Sequence, residues 1–481
     1  MNRFRWSGFL LLAFAGTISA LFGSEKGTGR QQADGSYEEP LRPQFHFTAP
    51  EGWLNDPNGL VYFKGEYHLF YQRNSGLHPI NEKSWGHALS TDLVHWRNLP
   101  VALSPLPRPD GRLAGAWSGS GFVDWNNTAG FQTGSEKPLV LAWTAAGLGQ
   151  CLAYSNDRGR TFTPYAGNPV IPPGSSEKAN DPDRDPFVFW HAPTKKWVLV
   201  LSVSHQGAFC YSSPDLKHWT YHSTFPGLWE CPNLFELPVD GQPGQTKWII
   251  HDASGKYFIG HFDGRSFTQE SGPFLLDHGR NYYAAQVWSD LPPADGRKIN
   301  IGWMSGGKFP GMPFNQQMGV PSVLTLKTLP EGLRVTKLPV REIEMLRTAG
   351  RDWKDQALRP ETNLLADIRG DTFDLVAELE PGAAQEIGFK IRGEAVRYEK
   401  DTLSCLGKSV PLKPMAGRIK LRILVDRTSL EIYGNDGAVS MTSAFLPPAD
   451  NQDLELFARG GEARVVSLHV YKMRSAWRNH P

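Results

Sequence analysis

Residues 56–72, DPNGLVYFKGEYHLFYQ, consist of a polar start, an apolar strand, a short turn and a second apolar strand. Units of the same form recur at residues 118–144, 185–202, 230–252 and 285–304. Because one such unit cannot cover both faces of its sheet, repeated units of about this size stack radially in a β-propeller. The sequence therefore predicts an all-β fold with a five-bladed propeller, in which the first strand of each blade lines a central channel.

A second repeat, an Asp-centred turn followed by an aromatic residue, supports this prediction. Residues 90–96, STDLVHW, match residues 213–219, SPDLKHW, at five of seven positions. Such a turn suits the outer hairpin of a blade. A plain β-sandwich or a solenoid is the alternative interpretation of the same strands.

The pattern of the chain changes after the fifth unit, so we assign the propeller to residues 41–340. Residues 341–366 are charged and mixed, and we predict a linker or a short helix there. Apolar and polar residues then alternate, as in Lys420–Val425 and Ser429–Tyr433, which indicates half-buried antiparallel strands. We predict a C-terminal β-sandwich over residues 367–477, close to the usual size of that architecture.

The N-terminus is typical of a signal peptide over residues 1–23. Arg3 and Arg5 precede an apolar run, Gly8–Ala20, that is short for a membrane span and ends in small residues. We therefore expect a secreted or periplasmic protein with no membrane contact after signal removal, and an uncleaved anchor is the alternative. Residues 24–40 are polar and are predicted to be a disordered lead-in.

The composition argues against several classes of partner. The 50 Lys and Arg residues nearly balance the 49 Asp and Glu residues, so a net charge of +1 gives no attraction to nucleic acid or anionic lipid. The four Cys residues, at positions 151, 210, 231 and 405, match no zinc motif and do not choose among disulfide pairings. The 16 Trp residues suit core packing, and some suit the flat apolar face of a sugar ring.

Acidic residues stand at the start of three of the five units. Asp56, Asp185 and Glu230 begin the first, third and fourth units, and the starts of the inner strands meet at one mouth of a propeller channel. Cleavage of a glycosidic bond uses a carboxylate and a protonated carboxyl group on either side of the bond. Each acid alone suits a turn or an ion pair, but the three together indicate a glycosidase site.

The sequence neighbours of each acid suggest its role. In Trp53–Gly59, an aromatic side chain, two amides and a Pro-Asn-Gly turn hold Asp56 in place. Arg184 precedes Asp185 and is expected to keep it ionised. Glu230 stands between a Trp and a Cys-Pro pair, an apolar setting that favours the protonated acid. We therefore expect Glu230 to be the acid, and Asp56 and Asp185 to be the anions.

Three motifs resemble the signatures of glycoside hydrolase family 32, namely Trp53–Gly59, Arg184–Pro186 and Glu230–Pro232. Three motifs in the right order are much more specific than one. The resemblance runs from about residue 43 to 475. Further segments that resemble the family in the same order are Tyr67–Gln72, Trp85–Ala88, Trp117–Ser120, Ile301–Met304 and Leu424–Tyr433.

The resemblance implies a five-bladed propeller with a C-terminal β-sandwich, and cleavage that retains configuration at the fructose anomeric carbon. It implies that Asp56 is the nucleophile, that Glu230 is the general acid and then the base, and that Asp185 stabilises the transition state. Arg184 lies beside Asp185, and no metal or organic cofactor is needed. The other residues that fall where the family lines its fructose pocket are Asn55, Gln72, Trp85, Trp117 and Ser118.

The sequence departs from the family pattern near this expected pocket. Many members carry a Trp shortly before the position of Trp85, but Leu77–Ile80 has none. Trp117 stands where Phe is common. Residues 313–318, PFNQQM, resemble bacterial levanases and inulinases more than plant invertases.

The expected substrate is a fructose-containing sugar or polymer, namely sucrose, inulin or levan, cleaved one terminal fructose at a time in a pocket walled by Trp53, Trp85 and Trp117. A sucrose-specific invertase or a fructosyltransferase of the same family is one alternative. An inverting five-bladed enzyme acting on arabinan or xylan is a second, and a carbohydrate-binding propeller without activity is a third. Product analysis and the stereochemistry of the first product separate the enzymatic alternatives.

Overall fold

The structure is a computed structural model that describes residues 37–174, 183–203 and 206–477. The predicted signal peptide, residues 1–23, lies outside the described residues, as do residues 24–36 of the predicted lead-in. The described chain is almost entirely β, with an N-terminal propeller and a C-terminal β-sandwich. The fold class predicted from the sequence is confirmed.

Blades one to three are antiparallel sheets whose strands follow one another in sequence. Their first strands contact each other around the channel. Blade one contains β1 (Gly52–Phe63), β2 (Glu66–Asn74), β3 (Ser84–Ser90) and β4 (Arg97–Leu103), and a small strand pair follows it, β5 (Leu106–Pro107) with β6 (Leu113–Ala114). Blade two contains β7 (Ala116–Val123), β8 (Leu139–Ala145), β9 (Gly149–Ser155) and β10 (Thr163–Pro164). Blade three contains β11 (Asp183–His191), β12 (Lys196–Val203), β13 (Gly207–Ser213) and β14 (Thr220–Phe225).

Blades four and five are joined by one parallel bridge between Val239 and Leu326. Blade four contains β15 (Asn233–Val239), β16 (Gln242–His251), β17 (Lys256–Phe262) and β18 (Phe267–Leu275). Blade five contains β19 (Tyr283–Val287), β20 (Lys298–Trp303), β22 (Ser322–Leu329) and β23 (Gly332–Pro339), and the short strand β21 (Phe314–Asn315) leaves it to pair with β1. This pairing ties blade five back to blade one and closes the ring.

The β-sandwich has a six-stranded and a five-stranded antiparallel sheet, with one apolar core between them. The six-stranded sheet contains β24 (Arg347–Leu358), β34 (Ala463–Met473), β25 (Phe373–Glu380), β30 (Ile419–Asp426), β31 (Ser429–Gly434) and β32 (Val439–Ala444). The five-stranded sheet contains β29 (Lys408–Pro411), β28 (Thr402–Cys405), β27 (Glu394–Glu399), β26 (Glu386–Ile391) and β33 (Leu454–Arg459).

The chain between the two domains contains a short helix, one of the two predictions for residues 341–366, but most of the remaining residues form a strand and not a linker. A 3-10 helix, Arg341–Leu346, leads directly into β24, which pairs with β34 as an edge strand of the sandwich. Most side chains of β24 are exposed, so this strand lacks the alternation that reveals a half-buried strand in a sequence. The lead-in also ends earlier than predicted, because Tyr37 is 3% exposed and stacks on Trp477 at 4.2 Å.

Buried charges join the propeller to the sandwich, and we call His46, Asp277, Lys337, Asp426 and Glu431 the interface cluster. His46 Nδ1 lies 2.8 Å from Asp426 and its Nε2 lies 2.9 Å from Glu431, while Lys337 Nζ lies 2.7 Å from Asp277. Burial opposes the charge on His46, but hydrogen bonds to the two carboxylates raise its pKa to about 9. The pKa of each of the three acids is lowered despite burial, since each faces a cation.

Candidate active site

The inner strands of four blades are irregular at the same place, near their first residues. The pairing register shifts between Leu54 and Pro57 in β1, between Ala116 and Gly119 in β7, and between Arg184 and Phe187 in β11. In β19 it shifts between Tyr283 and Gln286. Such bulges redirect side chains and are frequent at functional sites. In these four blades the regular hydrogen bonding between strands is interrupted at the same mouth of the channel.

Asp185 shows the local strain of this arrangement most clearly. Its φ angle is 62°, in the left-handed region that residues other than glycine rarely adopt. The hydroxyl of Thr144 in blade two accepts its backbone N–H at 2.9 Å. The bulge and this contact together hold the Asp185 carboxyl group at the channel mouth.

A cavity of about 370 Å³ opens at this mouth and contains the three predicted acids. Of the residues predicted for the pocket, Asn55, Gln72, Trp117 and Arg184 also line it. Trp53, predicted as a wall, lines it too. The remaining lining residues, which the sequence did not single out for the pocket, are Pro79, Asn81, Lys83, Tyr283 and Trp303.

The Asp56 carboxylate is held by side chains from blades one and two. The Asn55 amide donates to Oδ1 at 2.9 Å, and the Ser118 hydroxyl donates to Oδ2 at 2.6 Å. The Gln72 amide donates to Oδ2 at 3.3 Å and also to the Ser118 hydroxyl. This network fixes the orientation of the Asp56 carboxyl group at the channel mouth.

Glu230 lies in the turn just before β15, and its two oxygens have different partners. Arg184 Nη2 donates to Oε1 at 2.8 Å, and the Tyr283 hydroxyl donates to Oε2 at 2.7 Å. The predicted apolar setting of Glu230 is therefore wrong. Its sequence neighbours Trp229 and Cys231 do not determine its surroundings, because strands β11 and β19 supply the polar partners.

Arg184 favours the ionised form of Asp185, as predicted, but burial has the larger and opposite effect on the pKa of this acid. Burial raises the pKa of Asp185 to about 7, and the charges of Asp56 and Glu230 add to this effect. Arg184 lowers the pKa, but its Nε lies 3.8 Å from Asp185 while its Nη2 contacts Glu230 at 2.8 Å. One cation is shared between two acids, so Arg184 offsets only part of the effect of burial on the pKa of Asp185.

Cys231 is buried and contacts both Asp185 and Asp56. Its backbone N–H donates to Asp185 at 3.1 Å, and its sulfur lies 3.8 Å from Asp56 Oδ2. Burial raises the pKa of this thiol well above its usual value, with nearby carboxylates adding to the effect. The thiol is therefore neutral, and it is free, as are the other three cysteines.

Trp85 and Ser118, both predicted to line the pocket, lie behind its wall. The Trp85 ring is fully buried between blades one and two, where it packs against Phe70, and its indole N–H donates to the Trp117 carbonyl at 2.9 Å. Ser118 is buried but contacts Asp56 directly. Both residues support the pocket from behind its wall, so the aromatic side chains that line the cavity are Trp53, Trp117, Tyr283 and Trp303.

Tyr283 is the most important residue that the sequence interpretation missed. It begins β19, the first strand of blade five, just as Asp56 and Asp185 lie near the starts of β1 and β11. The rule that located the acids would therefore have located Tyr283, had it been applied to hydroxyl groups as well. Trp303 at the end of β20 packs edge-on against Trp53 and Tyr283, at 6.2 Å and 6.3 Å between ring centroids.

The arrangement suits chemistry on a neutral polyhydroxyl ligand. It offers an oriented carboxyl group in Asp56, a carboxyl group held by Arg184 and Tyr283 in Glu230, and a third, buried acid in Asp185 whose pKa is raised by burial. Aromatic side chains supply flat walls for the C–H face of a sugar. Within the described ranges, no group of three or more His, Cys, Asp or Glu side chains is arranged to hold a metal ion.

Comparison with known proteins gives consistent matches along the chain. Residues 46–337 match the N-terminal domain of glycosyl hydrolases family 32, and residues 396–472 match the C-terminal domain of that family. The chain is 44% identical to a levanase of Bacillus subtilis (strain 168), over 93% of this chain and 73% of that protein. It is 32% identical to an extracellular exo-inulinase of Aspergillus awamori, over 92% of this chain and 96% of that protein.

The structural match agrees with the sequence matches. A crystal structure of exo-inulinase from Aspergillus awamori superposes with a TM-score of 0.83 and 31% identity, covering 92% of this chain and all of that one. In the part of the chain that the structure describes, no helix is long and apolar enough to cross a membrane.

Proposed function

Since this chain belongs to glycosyl hydrolase family 32, we propose that it is a retaining β-fructosidase that releases terminal β-D-fructofuranosyl residues from fructans and sucrose. The observation that carries this proposal is the meeting of Asp56, Asp185 and Glu230 in one cavity with aromatic walls. A levanase is among the similar proteins. The enzyme is thus a glycoside hydrolase that acts on fructose-containing carbohydrate.

In the first step, Glu230 gives its proton to the oxygen that leaves with the rest of the substrate. Asp56 attacks the fructose anomeric carbon, the bond to the leaving oxygen breaks, and a covalent fructosyl-enzyme forms. Asp56 Oδ2 is held by Ser118 and Gln72, whereas Oδ1 accepts a hydrogen bond from Asn55. The less encumbered Oδ1 is therefore the better placed attacking atom.

In the second step, Glu230 removes a proton from water, which attacks the anomeric carbon and releases fructose with its original configuration. Arg184 and Tyr283 hold the Glu230 carboxyl group in both steps. Each donates to one oxygen of Glu230, so the pair orients the carboxyl group and stabilises the anion that remains after proton transfer.

Asp185 binds hydroxyl groups of the fructose ring in the transition state. With a pKa raised to about 7 by burial, it presents a carboxyl group that both accepts and donates hydrogen bonds near neutral pH. In glycosidases, distortion of the sugar and hydrogen bonds that strengthen as the oxocarbenium-like transition state forms together contribute several kcal/mol.

The cavity takes one sugar at the chain end, which makes the cleavage exo. The test is chromatography of early digests of sucrose, inulin and levan by the purified protein. Free fructose as the sole small product from both polymers supports the proposal. Early oligosaccharides without free fructose contradict exo release, transfer products at moderate sucrose concentration identify a fructosyltransferase, and a first product of inverted configuration contradicts retention.

We also propose that the protein is exported. Residues 1–23 carry the charge and hydropathy pattern of a signal peptide, and the exo-inulinase of Aspergillus awamori is named extracellular. N-terminal sequencing of protein recovered from outside the expressing cells tests this proposal. A mature protein that begins within a few residues of position 23 supports it, and retention of the whole segment in a membrane fraction contradicts it.

A further inference from the structure

A second cavity opens at the end of the propeller channel opposite the catalytic acids, and we call it the distal cavity. It is lined by aromatic rings from blades two to five and by three charged side chains, Glu236, Asp290 and Lys298. Its volume is about 500 Å³, which is in the usual range of small-molecule sites. Among the described residues, none lines both this cavity and the catalytic cavity that contains the three acids. Asp185 in the catalytic cavity and Trp190 in the distal cavity are about 16 Å apart along β11, at about 3.3 Å per residue.

Trp125 is an exposed aromatic side chain that the structure holds in a fixed position. It lines the distal cavity and is 48% exposed. Its indole N–H donates to Asp290 at 2.8 Å, and its ring packs edge-on against Phe63 at 5.7 Å between centroids. A large ring that is already oriented loses little conformational entropy when a ligand covers it.

Asp290, which holds Trp125, has a strained backbone. Its φ angle is 57°, in the left-handed region that is uncommon for residues other than glycine. Its second carboxyl oxygen accepts the backbone N–H of Val123 at 2.8 Å. Strained residues of this kind cluster at functional sites, so the position of Trp125 is built into the end of the channel.

Further aromatic rings form the walls of the distal cavity. Trp190 packs edge-on against Trp197 at 5.3 Å, and Trp248 packs against Phe189 at 5.6 Å. Trp190, Trp248 and Phe189 are only half-buried, so part of each ring is open to a ligand. Flat apolar rings of this kind suit the C–H face of a sugar.

Lys298 is the cation of the distal cavity, and it has no carboxylate partner. Its ammonium group lies 5.7 Å from the centroid of the Phe235 ring, and it forms no ion pair within the described chain. Burial lowers its pKa, although the charges of Asp290 and Glu236 oppose this effect. Glu236 instead accepts a hydrogen bond from the Thr246 hydroxyl. The ammonium group can therefore donate hydrogen bonds to acceptor atoms of a ligand.

The charges of the distal cavity favour a neutral ligand. Two carboxyl groups, Glu236 and Asp290, accompany the single ammonium group of Lys298, so the cavity offers an anion no excess of positive charge. A ligand that fits must have flat apolar faces for the rings and oxygen acceptors for Lys298. A saccharide has both features.

We propose that the distal cavity is a second, non-catalytic saccharide site that binds a segment of a neutral fructan chain, with Trp125 stacking on a sugar ring and Lys298 donating to sugar oxygens. The identity of the polymer rests on the proposed function. An enzyme held on the polymer by this site keeps other chain ends at high local concentration near its catalytic cavity. A short sugar cannot occupy both cavities at once, so the benefit is confined to polymers.

The first test compares hydrolysis of levan, inulin and sucrose by the wild type and by Trp125→Ala. KM on at least one polymer should rise about fivefold in the variant because a stacking surface is lost, while kcat and the KM on sucrose stay the same. Tyr221→Ala is the matched control. It removes a ring that is 36% exposed on β14, outside both cavities, and should leave every KM unchanged. Equal changes on sucrose and on the polymers, or no change on either polymer, overturn the inference.

Lys298→Met tests the same site without removing an aromatic ring. It keeps the apolar stem and removes the ammonium group, so KM on the same polymer should again rise about fivefold. The thermal midpoint should stay the same or rise, because a cation without an ion-pair partner is removed. An unchanged KM on the polymers in this folded variant contradicts the assigned role of Lys298.

A binding measurement separates the distal cavity from the catalytic cavity. In the inactive Glu230→Gln background, calorimetry with a fructan tetrasaccharide should show two sites per chain, and adding Trp125→Ala should leave one. A single site before that change, or two sites after it, overturns the inference and leaves the proposed function intact. Light scattering that shows a dimer lost on Trp125→Ala would mean that a second copy of the chain occupies the cavity, which also overturns the inference. Two sites in a protein whose wild type hydrolyses no fructoside would overturn the proposed function alone.

Discussion

Two groups of buried acids in this molecule have opposite electrostatics. In the interface cluster, Asp277, Asp426 and Glu431 have pKa values lowered by facing cations. In the active site, burial raises the pKa of Asp185 to about 7, and Arg184 is divided between it and Glu230. The interface cluster provides enough hydrogen-bond donors and cations to lower the pKa values of its acids, whereas the site provides too few to offset the effect of burial on Asp185.

The hydrogen bonds of Asp426 show how complete the pairing at the interface is. Its carboxylate accepts the backbone N–H groups of Gln44, Phe45 and His46, and also contacts the His46 ring. Glu431 accepts hydrogen bonds from the Val320 backbone N–H and from the Tyr433 hydroxyl. Buried charges of this kind stabilise a fold only when such donors surround them, and they tie the N-terminal segment and blade five to the sandwich.

Removing an acid from the site should produce the largest effect on activity. Asp56→Ala and Glu230→Ala should each lower kcat by about four orders of magnitude, because each removes a group that forms or breaks a bond. Their unfolding free energies should change little, since both residues lie at the channel mouth. Steady-state kinetics and chemical denaturation check both parts, and near-normal turnover by either variant contradicts its assigned role.

Removing an acid from the interface cluster should lower stability and leave activity nearly unchanged. Asp426→Ala should lower the unfolding free energy by about 3–5 kcal/mol, because it leaves the His46 ring and four backbone N–H donors without their partner. The activity of the molecules that remain folded should be close to normal. Asp453→Ala, which removes an exposed ion pair with Arg369, is the control and should cost less than about 1 kcal/mol. Similar losses for the two variants would refute the structural role of the interface cluster.

The pH dependence of the interface cluster follows from His46. Its pKa is raised from 6.5 to about 9 in the folded protein, so its stabilising contribution is complete below pH 6.5 and is lost as the pH rises through 9. His46→Gln should therefore reduce the difference in stability between pH 6.5 and pH 9.5. Denaturation curves at the two pH values measure this, and an unchanged difference would mean that His46 does not titrate there.

The raised pKa of Asp185 should make this group destabilise the folded protein as the pH rises, whereas the charged His46 stabilises it at low pH. The unfolded chain loses this proton near pH 3.8 and the folded protein near pH 7, so the group lowers stability progressively as the pH rises between these values. Asp185→Asn cannot titrate. It should gain stability relative to the wild type across this window, by about 4 kcal/mol at pH 7.5 at about 1.4 kcal/mol per unit of pKa difference, while losing activity. A stability difference that does not vary with pH would contradict the raised pKa.

Two adjacent tyrosines, one in the active site and one at the interface cluster, allow a comparison with the smallest expected effects. Tyr283 donates to Glu230 in the site, whereas the Tyr282 ring lies 4.1 Å from the ammonium group of Lys337 in the interface cluster. Tyr283→Phe should lower kcat about tenfold with little change in KM, since it removes one donor to a charged oxygen. Tyr282→Phe should leave kcat unchanged and lower stability by about 1 kcal/mol. Kinetics and thermal melts of both variants decide the matter, and equal effects on kcat would remove Tyr283 from the mechanism.

The sequence predicted the blades well because their period is visible. The predicted unit starts at residues 56, 118, 185 and 285 fall inside β1, β7, β11 and β19, and Glu230 lies three residues before β15. Each blade must bury both faces of its sheet, so each unit repeats the same apolar strands. This repeat can be detected in a single sequence. β24 was missed because an exposed edge strand lacks alternation.

The sequence predicted which acids form the site, but it did not predict which side chains contact them. The acids follow from their place at unit starts, yet the partners of Glu230 come from β11 and β19, which are 46 and 53 residues away in sequence. Trp85 shows the same limit. Its ring packs within 3.0 Å of the position that a Cβ on Gly59 would occupy, a contact across strands that no local pattern encodes.

The most direct test of the account is to trap the covalent intermediate on Asp56. Glu230→Ala should react with a β-fructofuranoside that has a good leaving group, because such a group needs no proton, and should then stall for lack of a base. Mass spectrometry of a digest should show one added fructosyl unit on the peptide that contains Asp56, and azide should release it. A fructosyl unit on any other peptide, or an immediate product of inverted configuration, would contradict the assignment of Asp56 as nucleophile.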